Sequence, residues 1–194
     1  MQNDGKCAAI AEKALGSLKG YKDCIFLNLG TGIGGAVFLN GEMLAPKICT
    51  GFEIGHMTIE KNGKECTCGK KGCFETYASM KNLKETIRSE YKLGKEVHSR
   101  ELLEILGNGC EKSNRLLEEY IENLKVGIAN LIDIFEPEVI SIGGSFAYYK
   151  ELLLEPLKKR LLEDNVTFNG RKDIVITTAQ MQNDAGILGA VILN

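Results

Sequence analysis

The sequence contains no tryptophan, only two histidines and three prolines in 194 residues, and no long apolar run. A membrane-spanning helix needs about 20 mostly apolar residues, and a secretory signal needs a basic start before an apolar stretch, so we predict neither. Lysine and arginine total 24 against 26 acidic residues, a net charge of −2 that offers nucleic acid no broad basic surface. We therefore expect a cytoplasmic protein with no membrane contact, whose partner is a small molecule or another protein.

The seven cysteines form an odd number, and three of them lie in one short stretch. The other four are scattered along the chain at Cys7, Cys24, Cys49 and Cys110. This distribution argues against a disulfide framework and favours a metal site.

Strand-like and helix-like patterns alternate along the chain, which predicts an α/β domain with a sheet covered by helices. The predicted strands are residues 24–29, 36–39, 139–142 and 173–176. The predicted helices are one from Asp4 closed by Gly20, one over residues 73–88, a short one between 92 and 113, a long one ending at Pro137, one carrying Leu153, Leu157 and Leu161, and one from about Asp184.

One histidine and three cysteines within residues 56–73 match the ligand types of zinc. They are His56, Cys66, Cys68 and Cys73. Four protein ligands with no open position make a structural site, and glycines between them let a short chain fold around one point. The alternative is a group of reduced surface thiols, which would oxidise readily. We predict a structural Zn²⁺ ion, although spacing alone would equally suit a module that binds nucleic acid or a protein.

Segments around this cluster resemble the ROK family of bacterial sugar kinases and sugar-responsive repressors. Glu53-Ile54-Gly55-His56 is similar to the family's ExGH segment, and residues 66–75 are similar to its CxCGxxGCxE segment. Four further stretches look like the sugar-binding Asn-Asp motif, the second phosphate loop, the nucleotide-binding turn and the C-terminus of the family. These are Asn3-Asp4, residues 29–35, residues 136–145 and residues 184–190.

The resemblance implies the C-terminal lobe of an actin-like ATPase (ribonuclease H-like) fold, with a zinc-binding turn inserted at residues 53–75. It also implies ATP-dependent phosphorylation of a hexose, either glucose or a close relative. The family's N-terminal lobe carries a first phosphate loop of the DxGxT type, and no such motif occurs in the chain. We expect residues 1–194 to be a single lobe without that N-terminal lobe, and to transfer phosphate poorly alone because part of the charge stabilisation is missing.

The resemblance also assigns roles around the sugar. Asp4 would be the general base and Asn3 would hold a neighbouring hydroxyl, although Asp4 suits a helix N-cap equally well. Glu53 and Glu75 would accept hydrogen bonds from sugar hydroxyls, since ionised carboxylates only accept. A zinc-bound His56 keeps one ring nitrogen free to donate to the sugar, so the zinc ion would be a scaffold.

Two glycine-rich turns are the candidates for holding ATP and Mg²⁺. They comprise Gly30, Thr31 and Gly32, and Gly143, Gly144 and Ser145. Backbone N–H groups in such turns can cradle phosphate, but a tight hairpin explains the first turn equally well.

Two other functions remain open at the level of sequence. The chain could be the sugar-binding effector domain of a transcriptional regulator, or a non-catalytic binding module stabilised by zinc. In each case we expect a homodimer, because a helix and sheet edge left uncovered without the first lobe would favour self-association.

Overall fold

The chain folds around one mixed sheet of five strands. The structure, a computed structural model, describes residues 4–46, 52–163, 166–170 and 173–181. The strands are β1 (Cys24–Leu29), β2 (Ile33–Leu39), β3 (Glu42–Met43), β4 (Val139–Gly144) and β5 (Val175–Thr178). Their order is β3-β2-β1-β4-β5, with β1, β2 and β3 antiparallel and with β1, β4 and β5 parallel. The predicted α/β architecture is confirmed.

Six helices accompany the sheet in the described part of the chain. They are α1 (Asp4–Leu15), α2 (Glu75–Ala78), α3 (Met80–Tyr91), α4 (Ser99–Leu106), α5 (Glu111–Phe135) and α6 (Lys150–Leu161). Short 3-10 turns occur at Ile54–His56, Ser145–Tyr149 and Phe168–Gly170. None of these helices combines the length and apolar character needed to cross a bilayer. The helix predicted from Asp184 lies outside the described residues.

Two helix boundaries differ from prediction. The single helix predicted over residues 73–88 is two helices, because Ser79 is extended (ψ 151°) and its hydroxyl accepts a hydrogen bond from the Asn82 N–H. The first helix ends at Leu15 rather than at Gly20, which has φ +90° in the turn that follows.

Alternate residues of β1 point to opposite faces of the sheet, and both faces are covered. Ile25, Leu27 and Leu29 belong to the larger core, with apolar side chains of α3, α5 and α6. Cys24 and Phe26 belong to a smaller core on the other face, which α1 covers. A sheet buried on both faces explains why five of the six residues of β1 are apolar, Asn28 being the exception.

The register of the central strands brings the two glycine-rich turns together. Leu29 and Gly144 are register partners at the carboxyl ends of the parallel strands β1 and β4. Leu29 also pairs with Ile33, so residues 30–32 form the hairpin loop between β1 and β2. The turn at 30–32 and the turn at 143–145 therefore share one edge of the sheet.

A buried carboxylate fastens α1 to the rest of the domain. Glu12 is fully buried, and one of its oxygens accepts hydrogen bonds from the backbone N–H and hydroxyl of Ser17 at 2.7 and 2.6 Å. The other oxygen accepts from the backbone N–H groups of Gln180 and Met181 at 2.8 and 2.7 Å. The Ser17 hydroxyl lies 2.7 Å from that of Ser141 in β4. Glu12 thus links α1 to the segment after β5.

We expect Glu12→Gln to lower the free energy of unfolding by about 2 to 4 kcal/mol, because an amide nitrogen cannot accept and leaves two buried donors unmet. Urea denaturation measures the loss. Glu151→Gln is the control, since that glutamate is largely exposed and, among the described residues, forms an ion pair with Lys150 alone. Equal stability of the two variants would contradict the anchoring role of Glu12.

Candidate functional site

The structure brings the four predicted metal ligands together. The ligand atoms of His56, Cys66, Cys68 and Cys73 all lie within 4.8 Å of one another. Cys68 Sγ lies 3.6 Å from Cys73 Sγ, and Cys66 Sγ lies 3.6 Å from His56 Nδ1. A zinc tetrahedron with Zn–S bonds of about 2.3 Å and Zn–N bonds of about 2.1 Å has edges of about 3.6 to 3.8 Å. The donor set and these two edges fit a zinc ion.

Backbone hydrogen bonds shape the turn that carries the cysteines. The Cys66 N–H donates to the Lys70 carbonyl at 2.9 Å, and the Gly72 N–H donates to the Lys64 carbonyl at 2.8 Å. Gly72 has φ +76°, and a Cβ built on it would lie 1.7 Å from the Glu60 carbonyl oxygen. Only glycine fits there, so the close approach of the two arms depends on position 72.

Phe74 anchors the turn in the core. Its ring is fully buried directly after Cys73, and its N–H donates to the Met57 carbonyl at 2.8 Å. The ring lies against Gly127 of α5, where a Cβ would come within 2.3 Å of ring carbons. The cysteine cluster is thereby held against the long helix.

The thiols of the cluster differ in their environments. Burial, and then the neighbouring thiols of Cys68 and Cys66, raises the pKa of Cys73 to about 12. A hydrogen bond from the Lys70 backbone N–H is the largest influence that lowers the pKa of the exposed Cys68. A divalent cation would supply the charge that lets a buried thiol such as Cys73 ionise beside its neighbours.

Two of the four predicted sugar-binding side chains, His56 and Glu75, meet at this cluster. The His56 Nδ1 lies 3.5 Å from the Glu75 carboxylate, whose oxygen is also 3.3 Å from the Cys66 Sγ. Glu53 is exposed at the start of the same 3-10 turn, and its carbonyl accepts from the His56 N–H at 3.0 Å. The residue between Ile54 and His56 must be glycine, because a Cβ on Gly55 would lie 2.1 Å from the Ile33 carbonyl oxygen of β2.

An open cleft joins Glu75 to the first glycine-rich turn. A Cβ on Gly32 would lie 2.7 Å from the Glu75 carboxylate. Thr31, Gly32, Glu75 and Lys81 are among the residues that line this cleft of about 470 Å³. The Lys81 N–H donates to the Gly30 carbonyl at 3.1 Å, so the start of α3 also contacts the turn.

The glycines of the two turns have different reasons to be small. A Cβ on Gly30 would meet nothing within 4 Å, so its backbone faces open space. A Cβ on Gly144, where φ is +72°, would lie 2.6 Å from the Leu29 carbonyl oxygen and the Asn28 side-chain oxygen. A Cβ on Gly143 would likewise lie 2.7 Å from a carbon of the Phe26 ring. Gly143 and Gly144 thus also serve the contact between β1 and β4.

The predicted base lies at the start of α1, and Asn3 lies outside the described residues. Asp4 is the first residue of α1, which packs beside β1 and β2. Sequence reasoning missed Lys70, whose ammonium donates to the His56 carbonyl at 2.6 Å and so steadies the backbone of a ligand. Its position within the cysteine segment was the available signal.

Comparisons with known proteins agree with these motifs. The model of the ROK family matches residues 1–194. A glucokinase of Thermotoga maritima is 30% identical over 98% of the chain and 63% of its own length. A xylose repressor of Caldicellulosiruptor bescii is 25% identical over 98% of the chain and 50% of its own length.

A solved structure of a ROK family protein has the same fold as this chain. A ROK family glucokinase from Streptomyces griseus, in complex with glucose and AMPPNP, superposes with a TM-score of 0.85 at 25% identity, over 100% of the chain and 67% of the glucokinase. The mixed five-stranded sheet is that of the actin-like ATPase fold of these neighbours. The chain spans less than two thirds of the length of the curated relatives described above.

Proposed function

Because this chain belongs to the ROK family, we propose that it is the hexose-binding and nucleotide-binding lobe of a sugar kinase that phosphorylates glucose or a close relative with ATP. The observation that carries the proposal is the placement of Glu75, which lies 3.5 Å from His56, in a cleft whose lining also includes Thr31 and Gly32. A phosphoryl transfer needs the acceptor sugar beside the residues that bind the phosphates. Glu75, the candidate sugar ligand, and Thr31 and Gly32, the candidate phosphate ligands, line the same cleft.

In this proposal four side chains hold the sugar and a fifth accepts its proton. Glu53 and Glu75 accept hydrogen bonds from hydroxyls, and His56 donates from Nε2 because its Nδ1 faces the thiols. Asp4 at the start of α1 takes the proton of the attacking hydroxyl, and Asn3 holds the hydroxyl beside it.

Both glycine-rich turns hold the nucleotide in this proposal. Backbone N–H groups of Gly32 and Gly144, with the hydroxyls of Thr31 and Ser145, would donate to phosphate oxygens. The Gly30 N–H donates to the Gly32 carbonyl at 3.0 Å, so Gly30 would shape the phosphate-binding turn. ATP with Mg²⁺ supplies the phosphoryl group and neutralises its charge. The adjacency of the turns at one sheet edge supports a single ligand that reaches both.

Zinc belongs to the same proposal as a structural ion. His56, Cys66, Cys68 and Cys73 would be its ligands, and they complete four-coordination without water. The ion fixes the orientation of the His56 ring and the start of α2, where Glu75 lies. It takes no part in the chemical step.

A sugar-responsive regulator is the second candidate, and the similarity to a xylose repressor favours it. A sugar sensor must bind the sugar through the same contacts, but it does not need to transfer a phosphoryl group. The two candidates therefore differ in turnover rather than in sugar affinity. We also propose that two copies associate, which light scattering of the purified chain would test.

We expect slow hexose-dependent ADP release from the chain, and a decrease of at least about 100-fold in Asp4→Asn, because a general base contributes about 10² to 10⁴ in rate. The hexose affinity of Asp4→Asn should stay within about threefold of wild type, since the amide is isosteric. A coupled ADP assay and calorimetry with a hexose panel measure the two quantities.

Asp23→Asn is the matched control, because Asp23 lies at the opposite end of β1 from the turns, where its carboxylate accepts from the Asn40 N–H at 2.7 Å. ADP release that persists in Asp4→Asn would refute the role of Asp4. Hexose binding without any ADP release would select the regulator, and no hexose binding by folded protein would refute both functions.

A further inference from the structure

Two cations on α3 share one environment away from the cysteine cluster. Lys84 and Arg88 are one helical turn apart, and both are half-buried. The Lys84 ammonium lies 5.9 Å from the centre of the buried Tyr149 ring, and an Arg88 Nη2 N–H donates to the Val97 carbonyl at 2.9 Å.

These cations have no acidic partner among the described residues. No ion pair within 4 Å involves Lys84 or Arg88, whereas Lys81 on the same helix pairs with Glu85. The Arg88 Nε is buried and has no hydrogen-bond acceptor in the part of the chain that the structure describes. A buried guanidinium donor without an acceptor is rare in proteins, and an absent ion is one of its explanations.

The surroundings also disfavour positive charge. Burial, and then the charge of Arg88, lowers the pKa of Lys84. Two like charges one turn apart on a helix repel each other, so this pair costs stability until an anion lies between them.

The position of the pair connects it to the glycine-rich turns. Tyr149 ends the 3-10 turn Ser145–Tyr149, which directly follows Gly144. One turn before Lys84, the Lys81 N–H contacts the Gly30 carbonyl. Helix α3 therefore contacts the first glycine-rich turn through the Lys81 N–H, and its Lys84 side chain lies near Tyr149, the last residue of the 3-10 turn that follows the second.

We propose that Lys84 and Arg88 form a binding site for a phosphate group. The ammonium and the guanidinium bind it together, after a rotation of the Arg88 side chain that brings its unmet Nε–H to a phosphate oxygen. The phosphate is either part of a nucleotide seated on the turn at 143–145, a source that rests on the proposed function, or a free phosphate group.

Thermal unfolding in sodium phosphate against sodium chloride at matched ionic strength tests the site without turnover. Phosphate should raise the Tm of the wild-type chain by about 2 °C or more, because a ligand that binds only the folded state stabilises it. Lys84→Gln should lose most of that shift, and Arg88→Lys, which keeps the charge without the fork of donors, should keep part of it.

Lys95→Gln is the control, because Lys95 is an exposed lysine in the connection after α3. A shift that is absent in wild type, or equal in Lys84→Gln and Lys95→Gln, would overturn the proposal. Glutamine is a good helix former, so Lys84→Gln should fold, and its Tm in chloride checks this.

Calorimetry with ADP and with adenosine identifies the source of the phosphate. If the phosphate belongs to a nucleotide, Lys84→Gln should weaken the binding affinity for ADP at least tenfold and leave the affinity for adenosine unchanged. If Lys84→Gln loses the phosphate shift but keeps its ADP affinity, the site takes a free phosphate group. A chain without hexose-dependent ADP release would refute the kinase proposal but leave the phosphate measurement intact.

Discussion

Replacing Cys68 with serine should remove the bound zinc from the chain and lower its Tm by about 10 °C or more, because a structural zinc contributes its binding free energy to folding. Serine lacks the thiolate that zinc binds, and the three remaining ligands cannot close a tetrahedral site. Cys68 is exposed, so the substitution buries no new polar atom and tests the ligand itself.

Cys110→Ser is a close control for this experiment. Cys110 is also an exposed thiol, but it lies outside the cluster, as the N-cap of α5 that accepts from the Ser113 N–H. Serine is a favoured N-cap residue, so this variant should keep both its metal and its Tm.

Metal analysis after purification with zinc present, and thermal unfolding with and without a strong chelator, measure the effect. We expect wild type and Cys110→Ser to hold one zinc ion per chain, and acid to release it because the thiolates must protonate. A wild-type chain without metal, or a Cys68→Ser variant that retains it, would contradict the zinc site.

Gly72→Ala should destabilise the chain by about 3 to 5 kcal/mol, within the range of exceptional single substitutions. The added Cβ would lie 1.7 Å from the Glu60 carbonyl oxygen, a backbone atom that cannot rotate away. The arms of the turn must separate, which moves Cys73 away from Cys66. Zinc content should therefore fall together with stability.

Gly69→Ala separates steric clash from backbone strain. Gly69 also has a positive φ, of +87°, but a Cβ there would meet nothing within 4 Å. We expect a cost of about 1 to 2 kcal/mol, the ordinary penalty of the left-handed region, with zinc retained. Urea denaturation and metal analysis of both variants measure the difference, and equal losses would refute the steric explanation.

Much of the fold could be predicted because local pattern and tertiary environment agree. The strand over residues 24–29 has the predicted bounds, since a largely apolar segment suits a strand buried on both faces. The hairpin between β2 and β3 turns at Asn40-Gly41, a common hairpin dipeptide, and both residues have positive φ.

Other features depend on contacts that the sequence does not display. The helix breaks at Ser79 because this residue is the N-cap of α3. Serine is a favoured N-cap residue, but the sequence alone does not show that the backbone becomes extended there. The burial of Glu12 depends on the backbone at residues 180 and 181, which is distant in sequence. A charged residue on a helix ordinarily indicates a solvent-exposed face, and here that interpretation would be wrong.

The candidate site was more predictable than its supporting contacts. Ligand chemistry and spacing indicated His56 and the three cysteines, and the structure places them within 4.8 Å. The roles of Asp4, Glu53 and Glu75 came from the family resemblance and stay predictions. The isolation of Lys84 and Arg88 from carboxylates could not be predicted, because it depends on what surrounds them in space.

The contact between the Phe74 ring and Gly127 has a consequence for protein engineering. Glycine within a helix costs about 1 kcal/mol relative to alanine, so Gly127 looks like an easy site for stabilisation. However, the missing side chain at Gly127 leaves the space that the Phe74 ring occupies. The methyl group of an alanine there would lie 2.3 Å from ring carbons. Positions 74 and 127 therefore form one steric unit: a library that varies them separately should yield few folded variants, and one that pairs a smaller side chain at 74 with alanine at 127 should yield more.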